Sequence, residues 1–246
     1  MTNITPGVDC GECWAAYLDG CDGGASREHL VSKALLPETT VKVMGFDWCP
    51  TWTKVGVNSL TRKILCRRHN SLLSSVDEVG LLVSRSLRDP VESKYVLGFT
   101  FERWLLKALI NVSIGGDAKI GVGMTGGALG AVPPYLVDVA FGNLNFSHRM
   151  GLYFLRCIEP YAVNPGEIMC TPFVRDEEIG GALFLVAGMY FFLSLYPGHA
   201  PGRIGEMARG PWPGYLATAE LVYRPEYLRV QMQDGRDGVI NFGWDL

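Results

Sequence analysis

The sequence predicts an α+β protein in two parts. Residues 1–95 form a small, loop-rich, cysteine-bearing unit, and residues 96–246 form a β-rich domain with one packed helix. Three observations carry this reading. Five of the seven cysteines (Cys10, Cys13, Cys21, Cys49 and Cys66) fall in the first 66 residues, in a stretch rich in Gly, Asp and Trp. Such a stretch lacks the long apolar runs of a self-sufficient core and needs a staple. Two later segments repeat apolar residues at helical spacing, and beyond them short apolar runs alternate with Gly and Pro.

The first helical segment covers about 70–87, where Leu72, Leu73, Val76, Val79, Leu82 and Val83 lie on one stripe. Ser75-x-x-Glu78 has the form of a capping box, so a second start inside this segment is expected. Asp89-Pro90 ends it, and the boundary between the two parts is expected at 90–98. The second helix covers 100–111. Thr100 is its expected cap, Phe101, Trp104, Leu105, Ala108, Leu109 and Val112 its buried face, and Asn111 with Gly115-Gly116 its close. Strands are expected within 119–124, 151–158, 167–174, 183–195 and 219–231. The segment 179–198 holds 20 residues without a charge, long enough for a membrane span. Its glycines 180, 181 and 188, its aromatics and its flanks without basic clusters favour buried strands bent at Gly188, and no membrane partner is expected.

Composition narrows the function. Of 246 residues, 48% are hydrophobic and 19% charged, so a sizeable core is expected and general disorder is not. A net charge of −3 excludes an overall basic coat for nucleic acid. The charge is nevertheless uneven. Residues 54–98 carry eight bases against four acids, and Arg62, Lys63, Arg67 and Arg68 are clustered within that segment. The start, MTNITPGVD, lacks the basic and apolar segments of a secretory signal, and a cytoplasmic, reducing location is expected. There, clustered cysteines more often hold metal than form disulfides.

Cys10-x-x-Cys13 and Cys66-x-x-His69 are two knuckle-spaced pairs, and together they supply the four ligands of a closed Cys3His zinc site. Cys21 and Cys49 are possible substitute ligands, while Cys157 and Cys170 read as small core residues of strands. Between the knuckles stands Glu28-His29, and directly after the second knuckle comes Asn70. The carboxylate and the amide oxygen are hard donors suited to Mg2+ or Mn2+, and an imidazole is the side chain whose ordinary pKa suits a general base.

The order C-x-x-C, then Glu-His, then C-x-x-His-Asn opening a helix resembles the HNH endonucleases of the ββα-metal fold. The closest pattern is their zinc-stapled branch, typified by the phage recombination endonuclease VII. The runs REHLVSKALL and LCRRHNSLLSSVD also look like a group of uncharacterised bacterial HNH-type proteins. The resemblance covers about residues 8–88. It implies a metal-dependent DNA endonuclease in which His29 activates water while Glu28 and Asn70 hold the catalytic cation. Zinc on Cys10, Cys13, Cys66 and His69 would clamp the strand of His29 against the helix of Asn70. Arg62, Lys63, Arg67 and Arg68 would contact DNA phosphates. The sequence departs from the pattern in having Glu28 where Asp is commoner, and His69 where cysteine is. It also has a long insert at 30–65 carrying Trp48, Cys49 and Trp52, with Asn58 as candidate for the middle asparagine. The competing function is a non-catalytic zinc module that binds nucleic acid through the same basic patch.

Overall fold

The computed structural model describes residues 13–30, 40–43, 51, 53–56, 58, 60–90, 93–115, 119–121, 124, 131–156, 168–175, 178–196, 216, 218–231 and 235–245. Among them the chain is a mixed α+β protein with four helices and several sheets. A 3-10 turn at Ala16–Leu18 leads into strand β1 (Ala25–His29). There follow β2 (Thr40–Val43), β3 (Thr53–Gly56) and β4 (Thr61–Cys66), then helices α1 (Arg67–Leu72) and α2 (Ser74–Arg88). Next come β5 (Lys94–Leu97), α3 (Gly98–Gly115), β6 (Lys119–Ile120) and α4 (Pro134–Phe141). The remainder is sheet: β7 (Gly151–Arg156), β8 (Ile168–Arg175), β9 (Glu178–Val186), β10 (Met189–Ser194), β11 (Glu220–Tyr223), β12 (Tyr227–Gln231) and β13 (Asp237–Gly243).

The six-stranded sheet runs in the order β11-β7-β10-β9-β6, with β8 paired to β9. Within the charge-free segment 179–198, residues 179–194 form the β9–β10 hairpin. Ala187 and Gly188 both have positive φ (46° and 88°), the requirement of a tight two-residue turn whose twist matches its strands. No helix of the described residues is long and apolar enough to cross a membrane. Alternate residues of this hairpin serve two cores. Ala182, Phe184, Phe191 and Leu193 face the main core, whereas Leu183, Leu185, Tyr190 and Phe192 face a second cluster with Tyr153, Phe173 and Leu216. Burial on both faces explains why the run carries no charge.

Helix α3 is longer than its sequence pattern and plays a different part. It begins at Gly98, so Thr100 lies inside it, and it continues to Gly115, so Asn111 does not close it. From Phe101 to Ser113 every residue but Arg103 is buried. A helix covered on all sides sits at the centre of a fold rather than on its surface. Phe101 stacks on Trp104 and meets Phe191 of β10 edge-on at 5.2 Å and Phe242 of β13 at 5.9 Å. Gly80 of α2 lies where any side chain would collide with the Trp104 ring, so glycine sets the close approach of α2 to α3. Glu102 accepts the Leu152 amide and a bidentate fork from Arg224, which fixes α3 to β7 and to the turn after β11.

Three further elements depart from expectation. The 70–87 segment begins three residues early, at Arg67, and breaks at Leu73; Ser75-x-x-Glu78 is not the cap of the second part. Helix α4 lies where the sequence pattern assigned no element. Pro134 takes its first turn, where a missing N–H costs nothing, and Gly142 closes it with φ 82°. Among the described residues the part after residue 95 thus has two helices, not one. Finally, β5 pairs in parallel with β13 at the far end of the chain, and β12 completes a three-stranded sheet.

Candidate metal centre and adjoining strand-helix junction

Strands β1 and β4 are antiparallel, with Ala25 opposite Cys66, Ser26 opposite Leu65, Glu28 opposite Arg62 and His29 opposite Thr61. Two steps along β1 match three along β4, so the irregularity lies on the β4 side and β1 keeps its alternation. Cys66 ends β4 and is the N-cap of α1, its thiol accepting the His69 amide at 3.4 Å. The order is therefore strand, strand, helix, with the helix leaving the second strand without a loop.

Four side chains converge at this corner. Cys13, Cys21, Cys66 and His69 place their ligand atoms within 4.8 Å of one another. The Nδ1 of His69 lies 3.3 Å from Cys13 Sγ, 3.6 Å from Cys21 Sγ and 3.3 Å from Cys66 Sγ. Tetrahedral zinc with bonds of about 2.3 Å to sulfur and about 2.0 Å to nitrogen requires S···N separations near 3.5 Å. The donor set and its spacing fit that ion, and this Cys3His cluster could hold zinc. Cys21, named above as a substitute ligand, is the fourth member of the described cluster; Cys10 and Cys49 lie outside the described residues. The chain reverses after the 3-10 turn through Asp19 and Gly20, both at positive φ, and this returns Cys21 to Cys13. The sequence signal was the Asp-Gly and Gly-Gly pairs on either side of Cys21.

The surroundings tune the ligands. Burial raises the Cys13 thiol above its ordinary value despite an amide hydrogen bond from Cys66. Burial also acts to raise Cys66, but hydrogen bonds led by the His69 amide outweigh it and leave this thiol lowered. Burial first, then the Arg68 charge, lowers His69 and keeps its ring neutral, the form that binds metal. Phe141 of α4 packs edge-on against the His69 ring and against Trp14. Residues beyond 95 thus cover the cluster.

Glu28 and His29 end β1, and Asn70 lies in α1, one residue after His69. Asn70 Nδ2 donates to Ser26 Oγ at 3.3 Å, which ties α1 to the face of β1 that Ser26 shares with Glu28. Glu28 is buried, and its Oε1 lies 2.8 Å from the Nζ of Lys107 on α3. Lys107 is 3% exposed and also bonds Asp77 of α2 at 2.6 Å. One turn along α3, Asn111 accepts from the Trp14 indole at 3.2 Å and donates to the His29 carbonyl at 3.4 Å. The His29 side chain is half-buried, and strand alternation turns it from the Glu28 face. Among the described residues no hydrogen bond or ion pair joins its ring to Glu28 or Asn70. Lys107 and Asn111 were missed from sequence because a lysine and an asparagine in an apolar helix read as solvated or terminal positions.

Arg62, Lys63, Arg67 and Arg68 are all exposed on β4 and α1. Arg68 Nη1 donates to the Gly20 carbonyl at 2.8 Å, so it also braces the loop carrying Cys21. Asn58 is exposed, and Trp48 and Trp52 lie outside the described residues. The expected division at residue 95 is crossed by the Glu28–Lys107 pair, the Trp14–Asn111 bond and the His69–Phe141 contact.

Fold and site together define an α+β protein with an N-terminal Cys3His cluster. Comparison of the chain with protein-family profiles, curated proteins and solved structures finds no match.

Proposed function

We propose that the protein is a divalent-metal-dependent DNA endonuclease of HNH type, with a zinc-stapled ββα unit as its catalytic part. The observation that carries this reading is the junction of β1, β4 and α1. It brings the strand ending in Glu28-His29 against the helix bearing Asn70, beside the Cys3His cluster that could hold zinc. Lys107 engages Oε1 of Glu28 and Ser26 engages Nδ2 of Asn70, and Glu28 and Asn70 would offer their remaining hard oxygens to Mg2+ or Mn2+. A cation there supplies polarisation of the scissile phosphate and neutralisation of the leaving oxygen. His29 accepts the proton of the attacking water. Arg62, Lys63, Arg67 and Arg68 hold the flanking phosphates, a contribution that falls as salt rises.

One observation favours a second reading, a non-catalytic zinc module that binds nucleic acid. The Glu28 carboxylate is buried and already neutralised by Lys107. The test is cleavage of supercoiled, linear, branched and single-stranded DNA with Mg2+ or Mn2+, with and without EDTA. Under the nuclease reading cleavage requires the cation and is lost in His29→Ala at unchanged zinc content. Salt-dependent DNA binding that Arg67→Ala weakens, with no cleavage of any substrate, would establish the binding module instead.

A further inference from the structure

Lys107 is a long cation buried in α3, and burying such a charge requires close partners. It has two, Glu28 at 2.8 Å and Asp77 at 2.6 Å, from two different elements. Asn111, four residues on and therefore on the same side of α3, holds the carbonyl of the very next residue, His29. The helix thus grips the Glu28-His29 pair twice, once by a side-chain charge and once by a backbone hydrogen bond. The two grips differ in kind. Asn111 fixes the backbone whatever is bound, whereas Lys107 sits on an oxygen of the carboxylate read above as a cation ligand. A divalent cation arriving at Glu28 meets a positive charge already in place, with a second acceptor for that charge on α2.

We infer that Lys107 is the resident counter-cation of Glu28, competing with a divalent cation for that carboxylate and keeping Asp77 alone as its partner when the cation binds. Lys107 and Asp77 are positioning residues: they touch neither substrate nor phosphate, and they set how much free cation the site needs. The inference rests on Glu28 being a cation ligand, and cation binding can be measured without DNA and without cleavage.

The experiment uses the full zinc-loaded chain and Mn2+ alone, with free Mn2+ followed by electron paramagnetic resonance. Removing the competing charge in Lys107→Met should tighten Mn2+ binding by about tenfold or more, since a like charge a few ångströms from the ion is lost. Asp77→Asn removes the second partner, confines Lys107 to Glu28 and should weaken Mn2+ binding by at least about threefold. Glu28→Gln should abolish the effect of Lys107→Met. Equal or weaker Mn2+ binding in a folded Lys107→Met variant overturns the inference. Should that variant fail to retain zinc and a cooperative melt, Asp77→Asn decides alone, and unchanged affinity there overturns it. Wild-type Mn2+ binding that is lost in Glu28→Gln, but indifferent to Lys107 and Asp77, would leave the nuclease reading standing and remove this inference. Binding that arises only in Lys107→Met would support the inference and count against the nuclease reading.

Discussion

Asn111→Ala isolates the grip of α3 on the Cys3His corner. Asn111 is 1% exposed, and its amide pairs the buried Trp14 indole N–H at 3.2 Å and the part-buried His29 carbonyl at 3.4 Å. Truncation leaves both unpaired. Each orphaned buried group costs about 1–3 kcal/mol, and the longer bond belongs at the low end, so about 2–4 kcal/mol is expected. With a urea slope of about 2–3 kcal/mol/M, the midpoint should fall by about 1 M at unchanged slope. The assay is urea unfolding of zinc-loaded protein, read by tryptophan fluorescence and by zinc release to a chromogenic chelator. Trp14 adjoins Cys13, so zinc release should shift with the fluorescence. Asn143→Ala is the control: Asn143 also bonds a side chain, Asp138 at 3.0 Å, but at the exposed end of α4, and its loss should change stability by no more than about 0.5 kcal/mol. A midpoint shift in Asn111→Ala no larger than the control's would refute the reasoning.

Three further outcomes are expected. Freshly reduced protein should hold one zinc per chain, and Cys21→Ser and Cys66→Ser should each lose it and lower the melting temperature, by plasma emission spectrometry and calorimetry; full zinc retention in Cys21→Ser would show that another residue is the fourth ligand. Arg224→Leu should destabilise by about 3–5 kcal/mol, because it leaves the Glu102 carboxylate buried with only the Leu152 amide, and Arg224→Leu with Glu102→Leu should recover part of that loss in denaturant titrations. Burial raises the Tyr153 phenol from 10.0 to about 12. Its folded value lies above the unfolded one, so its stabilising contribution is complete below pH 10 and is lost as pH rises toward 12; Tyr153→Phe should flatten stability against pH in that window.

How legible the molecule was depends on the range over which each signal acts. Local patterns were readable: the apolar stripe of 101–112, the positions of β7 to β10, and the Cys66-x-x-His69 knuckle, whose two side chains lie on one turn; the run 219–231 was read without its break into β11 and β12, and β13 was missed. Cys13 was paired with its near neighbour Cys10 by spacing alone, whereas the described partner, Cys21, is brought back by a turn at Asp19-Gly20 that spacing does not register. The break at Leu73 was anticipated, but from a capping box that the structure does not use. Long-range pairings were not readable. Nothing near Lys107 announces Glu28 or Asp77, and nothing near residue 94 announces a parallel partner at residue 240. The pattern of α3 showed one apolar face because the polar residues on the others, Glu102, Lys107 and Asn111, are buried by specific partners rather than by hydrophobicity.

Helix α3 is covered by strands made much later in the chain, and this bears on how the protein is born. Its Phe101 rests on Phe191 and Phe242. A ribosome adding about 5–20 residues per second leaves that helix without its final cover for on the order of 10 s. During that interval the apolar side chains of α3 lack their cover, and the nascent chain is a ready client for a holding chaperone. The metal corner, whose described ligands all lie within the first 69 residues, can have assembled well before then.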